Sequence, residues 1–335
     1  MTWTDAVDRG DLDEVLRLID RLAEQSDWDG LDTLRERCRL AHERGHQLWP
    51  AASYAAHRLA LDGPIALAVV LASTDSSAFT VGPLWEVVAA RARWADIEPH
   101  CERGPVTALM AQERVLRGER LDGATALLDD VEVPLHLADI EPDYSLASYT
   151  AAEVVVDGPR PLDLGPPHRI RATGRAVADQ VAEAWRLVVE PWCSQSGGTM
   201  RSVAVRGGAA EAVVGLVGGG AVQIAPVDLT AVLHRLQWAA ASGGAHGRRR
   251  GGAVGRAVAW WLVASVAGVT DDWPISANEL SEWGTELQWW VWQPVETPSS
   301  GWQLRLAAAD PDQGTAWAVE AVDRDDPRHA QRAPA

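Results

Sequence analysis

No lysine occurs among the 335 residues: all 30 basic residues are arginine. A Walker A loop ends in Gly-Lys-Ser/Thr, so a standard P-loop NTPase is excluded. Schiff-base aldolases, pyridoxal-phosphate enzymes and the kinase Lys–Glu pair fall with it, since each needs a lysine amine. Cysteine is nearly absent too. Cys38, Cys101 and Cys193 stand alone, which fits neither a disulfide framework nor a CxxC metal knuckle. The longest apolar run, Ala257 to Ala267, is too short to span a bilayer. Met1 is followed by the polar TWTDAVDRGD rather than a basic start and an apolar run, so a cytoplasmic location with no membrane association is expected. There is one Phe and there are three Tyr, leaving 17 Trp to do most aromatic packing.

What is abundant is acid. The formal charge is −17, and it is uneven: residues 1–165 hold 30 Asp and Glu against 15 Arg, residues 166–335 only 17 against 15. Such an excess repels phosphate backbones, so extended nucleic-acid binding is not expected. A protein partner on the acidic half is. Screening confines the repulsion to about 8–10 Å, which leaves room for one small phosphate- or carboxylate-bearing ligand. The place for it is a basic island. Between Asp228 and Asp271 there is no acidic residue, while Arg235, Arg248, Arg249, Arg250 and Arg256 occur with His234 and His246.

Helical periodicity fills the first 130 residues. Asp11 caps a helix with Leu12, Val15, Leu16, Ile19 and Leu22 on one face; Asp29-Gly30 breaks it, and Leu31, Leu34 and Cys38 begin the next. Further breaks fall at Gly63-Pro64 and Gly82-Pro83, and a helix follows from about Pro105 to Gly118. The expectation is a solenoid-like helical domain over 1–157, a Pro-rich linker over 158–168, a Trp-rich α/β domain over 169–324 and a flexible tail over 325–335: α+β overall. In the second domain the pattern predicts helices over Thr173–Glu190, Ala209–Val217, Leu229–Ala241 and Ala253–Ala267, with strands at Ser202–Arg206 and Ala221–Ala225. Three alternating runs, Leu287–Trp292, Trp302–Leu306 and Trp317–Val322, close it as an antiparallel meander on a mixed sheet, with turns at Pro298–Gly301 and Asp310–Gly314.

The run SGGAHGRRRGG, Ser242 to Gly252, joins two of those helices. Backbone N–H groups at the start of the second helix favour an anion, glycines let the chain approach closely, and arginines supply forked donors. Ser242, Gly244, His246, Arg248, Arg249, Arg250 and Arg256 are therefore the candidate ligand-binding residues. If chemistry follows, His246 is the acid/base and Asp271 or Asp272 orients it. The same arginines can instead pair internally, with Asp271, Asp272, Glu279, Glu282 or the stretch Asp139–Asp143. His42-Glu43-Arg44-Gly45-His46 formally matches HExxH, a zinc-hydrolase spacing, but Arg44 repels a cation and Gly45 weakens the helix by about 0.8–1 kcal/mol. Asp62 and Glu86 are unconvincing third ligands. Twelve of the tryptophans follow residue 180, as core or as an aromatic platform. Cys193-Ser-Gln-Ser196 carries no recognisable chemistry, and no cofactor is expected.

ASGGAHGRRRGG followed by GRAVAWW (Gly255 to Trp261), with HQLWPAASYAAHRLAL (His46 to Leu61) and ERVLRGERL (Glu113 to Leu121), resembles an uncharacterised actinobacterial family catalogued as a domain of unknown function. The resemblance implies an actinobacterial cytoplasmic protein and assigns no activity. The leading reading is a non-catalytic binding or regulatory protein whose arginine loop pairs with acidic groups or binds a small anion. The alternatives are an enzyme acting on a phosphorylated or nucleotide-like substrate through His246, and a zinc hydrolase through His42, Glu43 and His46.

Overall fold

The computed structural model describes residues 3–43, 45–74, 81–121, 126–128, 132–170, 174–295 and 301–324. They form two units, Met1–Val131 with Leu146–Val156, and Glu132–Ser145 with Asp157–Ala335. The segment 132–145, read from sequence as part of the helical half, thus belongs to the second unit. None of the described helices is long and apolar enough to cross a membrane.

The first unit holds α1 (Trp3–Arg9), α2 (Leu12–Glu24), α3 (Trp28–Glu43), α4 (Trp49–Asp62), α5 (Ile65–Thr74), α6 (Leu84–Arg91), α7 (Trp94–Ile97) and α8 (Pro105–Leu116). Asp11 caps α2 as its sequence requires, its carboxylate accepting Glu14 N–H at 3.0 Å, and Val15 and Ile19 are fully buried. The break expected at Asp29-Gly30 lies earlier. Asp27 accepts Gly30 N–H at 3.0 Å, so the supposed breaker is the first turn of α3. The helices gather on α4, which packs against α2, α3, α5 and α6. Its alanines at 51, 55, 56 and 60 are wholly buried, and their small side chains admit neighbours on several sides. A short antiparallel pair, β1 (Ser148–Tyr149) and β2 (Val154–Val155), ends the unit. It is tied down by Tyr149 Oη donating to Glu86 at 2.5 Å and by His57 Nε2 against Thr150 O at 2.7 Å.

The second unit contains β3 (His168–Arg169), β4 (Arg175–Val177), α9 (Ala182–Val188), β5 (Thr199–Arg206), α10 (Ala209–Val217), β6 (Ala221–Val227), α11 (Leu229–Ala241), α12 (Gly252–Ala267), α13 (Ala277–Glu286), β7 (Gln288–Pro294), β8 (Trp302–Asp310) and β9 (Thr315–Asp323). The order in the seven-stranded sheet is β3-β6-β7-β8-β9-β5-β4. Every ladder is antiparallel, which corrects the mixed sheet expected from sequence. The β5-α10-β6 succession reads locally like a parallel crossover. In the fold, however, the meander β7-β8-β9 separates those two strands, so they run the same way without pairing. α10 covers the sheet, with Ala212 and Val213 packed in one core with Val205, Trp292, Ala307 and Ala318.

The single helix expected from Thr173 to Glu190 is instead β4 followed by α9. Asp179 explains the division: its carboxylate accepts Val181 N–H at 3.2 Å and Ser202 Oγ–H at 2.5 Å, starting the helix after it. Thr173, the tail 325–335 and the 298–300 part of the predicted turn lie outside the described residues. At the other meander turn, Asp310 Oδ1 accepts the N–H groups of Asp312 and Gln313, both at 2.9 Å, as a turn residue does.

Candidate functional site

The basic island becomes a hairpin of two helices, and each helix grips the segment 132–145 through side chains one turn apart. On α11, Thr230 Oγ donates to Ile140 O at 2.8 Å and His234 Nε2 meets Ser145 Oγ at 2.9 Å. On α12, Arg256 and Trp260 take Glu141. Arg256 Nε donates to Glu141 Oε1 at 2.7 Å and the terminal nitrogen to Oε2 at 2.6 Å, a bidentate pair with both side chains fully buried. The same guanidinium donates to Pro134 O and His136 O, both at 2.8 Å. Glu141 also accepts from Trp260 Nε1 at 3.0 Å, Tyr144 Oη at 2.8 Å and Ala138 N–H at 2.9 Å. The Arg256 guanidinium carbon lies 5.4 Å from the Trp260 ring centre, a cation–π contact.

Burial pushes the Glu141 carboxyl up. The hydrogen bonds and charge of Arg256, with help from Ala138 and Tyr144, outweigh it and hold the group below its ordinary range. Tyr144 is driven the other way, well up, by burial and then by the Glu141 charge. A buried ion pair survives where further hydrogen bonds offset the desolvation of both charges, and here they do.

Arg250 works at helix ends. Its Nε donates to Ala240 O at 2.8 Å, in the last turn of α11, and a terminal nitrogen donates to Leu187 O at 2.8 Å and Val188 O at 3.3 Å, the end of α9. One cation therefore satisfies the negative ends of two helices. The backbone of Arg250 and Gly251 also returns to Ala241 O, at 2.8 and 3.2 Å. So α11 is closed by the returning arginine segment.

The intervening turn is pinned to residues 192–196 and to Asp323. Trp192 Nε1 donates to Ser242 Oγ at 2.9 Å, His246 N–H to Ser196 Oγ at 2.7 Å, Arg248 N–H to Gln195 Oε1 at 3.1 Å and Ala245 N–H to Asp323 Oδ2 at 2.6 Å. Gly244 sits at φ 73°, with the buried Asp323 carboxylate where a Cβ would go. Gln195 and Ser196 had no role in the sequence reading. Nothing in their spacing says they would lie under a loop fifty residues later.

The predicted site residues are thus dispersed. Ser242 and Arg256 are buried, Arg249 and Arg250 half-buried, and His246 and Arg248 face solvent. The α12 start expected to hold an anion is closed, with Gly251, Gly252 and Ala253 all buried. Asp271 and Asp272 are exposed in a short turn beyond the far end of α12, sixteen residues long, so His246 and these carboxylates stand at opposite ends of one helix. At about 1.5 Å per residue that is a separation of about 24 Å, and no shared catalytic site results. The side chains of His42 and Glu43, and all of Arg44, lie outside the described residues. α3 ends at Glu43 and Gly45 has φ 93°, so His46 does not continue the helical spacing that the zinc reading required. Among the described residues no group of three or more His, Cys, Asp and Glu is placed to hold a metal ion. Thiolate chemistry has no support: burial pushes Cys38 up to about 12 and raises Cys101 and Cys193 as well.

Comparison with curated proteins and comparison with solved structures each give no match. Residues 13–325 match a family of unknown function, DUF6183, a span that takes in both the helical unit and the arginine-rich segment, and the chain belongs to that family.

Proposed function

We propose that this is a cytoplasmic protein that acts by binding rather than by catalysis, with its arginine segment serving as an internal clasp. The observation that carries the reading is Arg256, whose guanidinium is wholly buried against Glu141 and two backbone carbonyls. A cation spent in that way holds a scaffold together and has no place in a reaction. Arg250, spent on two helix ends, supports the same reading. The separation of His246 from Asp271 and Asp272 counts against a phosphate-processing enzyme. The acidic half, with 30 acidic residues against 15 arginines before residue 166, suits a positively charged protein partner and repels nucleic acid.

The test pairs a melt with a turnover assay. Replacing Arg248, Arg249 and Arg250 together by Ala should lower the melting temperature by several degrees, chiefly through Arg250, because unsatisfied helix-end carbonyls cost about 1–3 kcal/mol each when buried. The wild-type protein should not hydrolyse p-nitrophenyl phosphate. Turnover that disappears in His246→Ala, or a triple variant that melts like the wild type, would overturn the proposal.

A further inference from the structure

The β7–β8 ladder runs from Gln288↔Ala309 to Val291↔Leu306. Past that point β7 follows β6 as far as Val222↔Pro294, while β8 runs beside β9 from Trp302. Between these two segments lies a cleft of about 190 Å³, lined also by Arg235 and Trp238 of α11. None of its lining residues is Asp or Glu.

The aromatic lining is Trp238 and Trp292. Trp238 stacks on Trp302 with ring centres 4.8 Å apart and planes 18° from parallel, and Trp292 is buried beneath. The polar lining is unevenly compensated. Arg305 donates to Glu320 at 2.9 Å, and Arg201 shares that carboxylate, so two guanidiniums meet one acid. Arg235 makes no ion pair among the described residues; burial lowers its pKa, and the Asp228 charge only partly opposes this. It donates to Arg160 O at 2.7 Å and Ala231 O at 3.3 Å, both neutral carbonyls. A guanidinium carries five N–H donors, so most of Arg235's capacity is unspent in a half-buried position. The local potential is positive enough to act on a neighbour: burial first, then Arg235 and Arg160, hold the His234 imidazole below its ordinary pKa.

We propose that this fork cleft binds a small monoanion with a flat apolar body, of the aromatic-carboxylate type, its carboxylate on Arg235 and its ring against Trp238. The volume lies below the roughly 300 Å³ at which sites for drug-sized ligands begin, which favours a single ring over a nucleotide. The site adjoins the clasp without sharing its cation: Arg235 makes none of the contacts that hold residues 242–252, while Trp238 O accepts Ser242 N–H at 3.2 Å and its ring meets Trp192 edge-on.

Calorimetric titration of the full chain at constant ionic strength with benzoate, benzamide, benzamidinium and inorganic phosphate tests it. Benzoate should bind at least about tenfold more tightly than benzamide, since only the anion forms the charge-assisted pair. Benzamidinium should not bind, and phosphate alone should be weaker for want of the ring. Arg235→Gln should weaken benzoate by about tenfold or more. Equal binding of benzoate and benzamide, no benzoate binding, or an Arg235→Gln protein that binds benzoate unchanged would each overturn the assignment. Should that variant fail to fold, the charge series on the wild-type protein still decides. A hydrolytic activity would sink the non-catalytic reading and leave this site standing, so the two can fail separately.

Discussion

Five donors converge on the Glu141 carboxylate: two from Arg256 and one each from Trp260, Tyr144 and the Ala138 backbone. Replacing one oxygen by an amide sets donors against donors inside a dry site. Glu141→Gln should therefore cost about 3–5 kcal/mol, the usual penalty for breaking a buried pair. At about 2–4 °C per kcal/mol for a unit of this size, that is a fall of about 10 °C in Tm. The double change Arg256→Met with Glu141→Leu should cost less than the sum of its two single changes, because no uncompensated charge remains, yet stay below the wild type, since Trp260 Nε1–H, Tyr144 Oη–H and the Pro134 and His136 carbonyls lose their partners. A double-mutant cycle of Glu141→Leu, Arg256→Met and the two together, read by denaturant titration, measures the coupling; additive losses would show that the pair does not act as a unit.

On the scale of the element, α11 and α12 approach so closely at Gly255 that a Cβ there would strike Gln237 O and come within 2.9 Å of the Ala241 Cβ. Helix propensity alone would have Gly255→Ala stabilise by about 0.8–1 kcal/mol. Overpacking costs about 1–3 kcal/mol, and the colliding atom is backbone, which yields least. The net change should be destabilising, read as a lower denaturation midpoint at unchanged slope. A higher midpoint would mean that the helices part without penalty.

For the second unit as a whole, acid sensitivity follows from two carboxylates. Glu141 and Glu320 are both raised by burial and lowered further than that by their arginines, Arg256 for the first and Arg201 with Arg305 for the second. A depressed folded pKa means stability that is complete above the unfolded value and is lost as pH falls through the folded one. Denaturant midpoints should hold from about pH 7 to about pH 5, then drop below the ordinary glutamate value of 4.5. In Glu141→Gln the starting midpoint should be lower and the acid drop shallower. A wild-type midpoint flat to about pH 3 would contradict this balance of terms.

Much of this molecule was legible as local chemistry. The Asp11 cap of α2, the limits Ala209–Val217 and Leu229–Ala241 and the three meander strands each follow from residues within a turn or a strand of one another. Asp139–Asp143 was among the segments expected to pair with the basic island, and composition alone suggested it. Only the tertiary structure selected Glu141 and Arg256 from that set, sent Arg250 to two helix ends, slid Gln195 and Ser196 under the loop and set Arg235 in a cleft without an acid. Caps and alternation are encoded by near neighbours, whereas the pairing of charges more than a hundred residues apart depends on which surfaces are brought together and emptied of water.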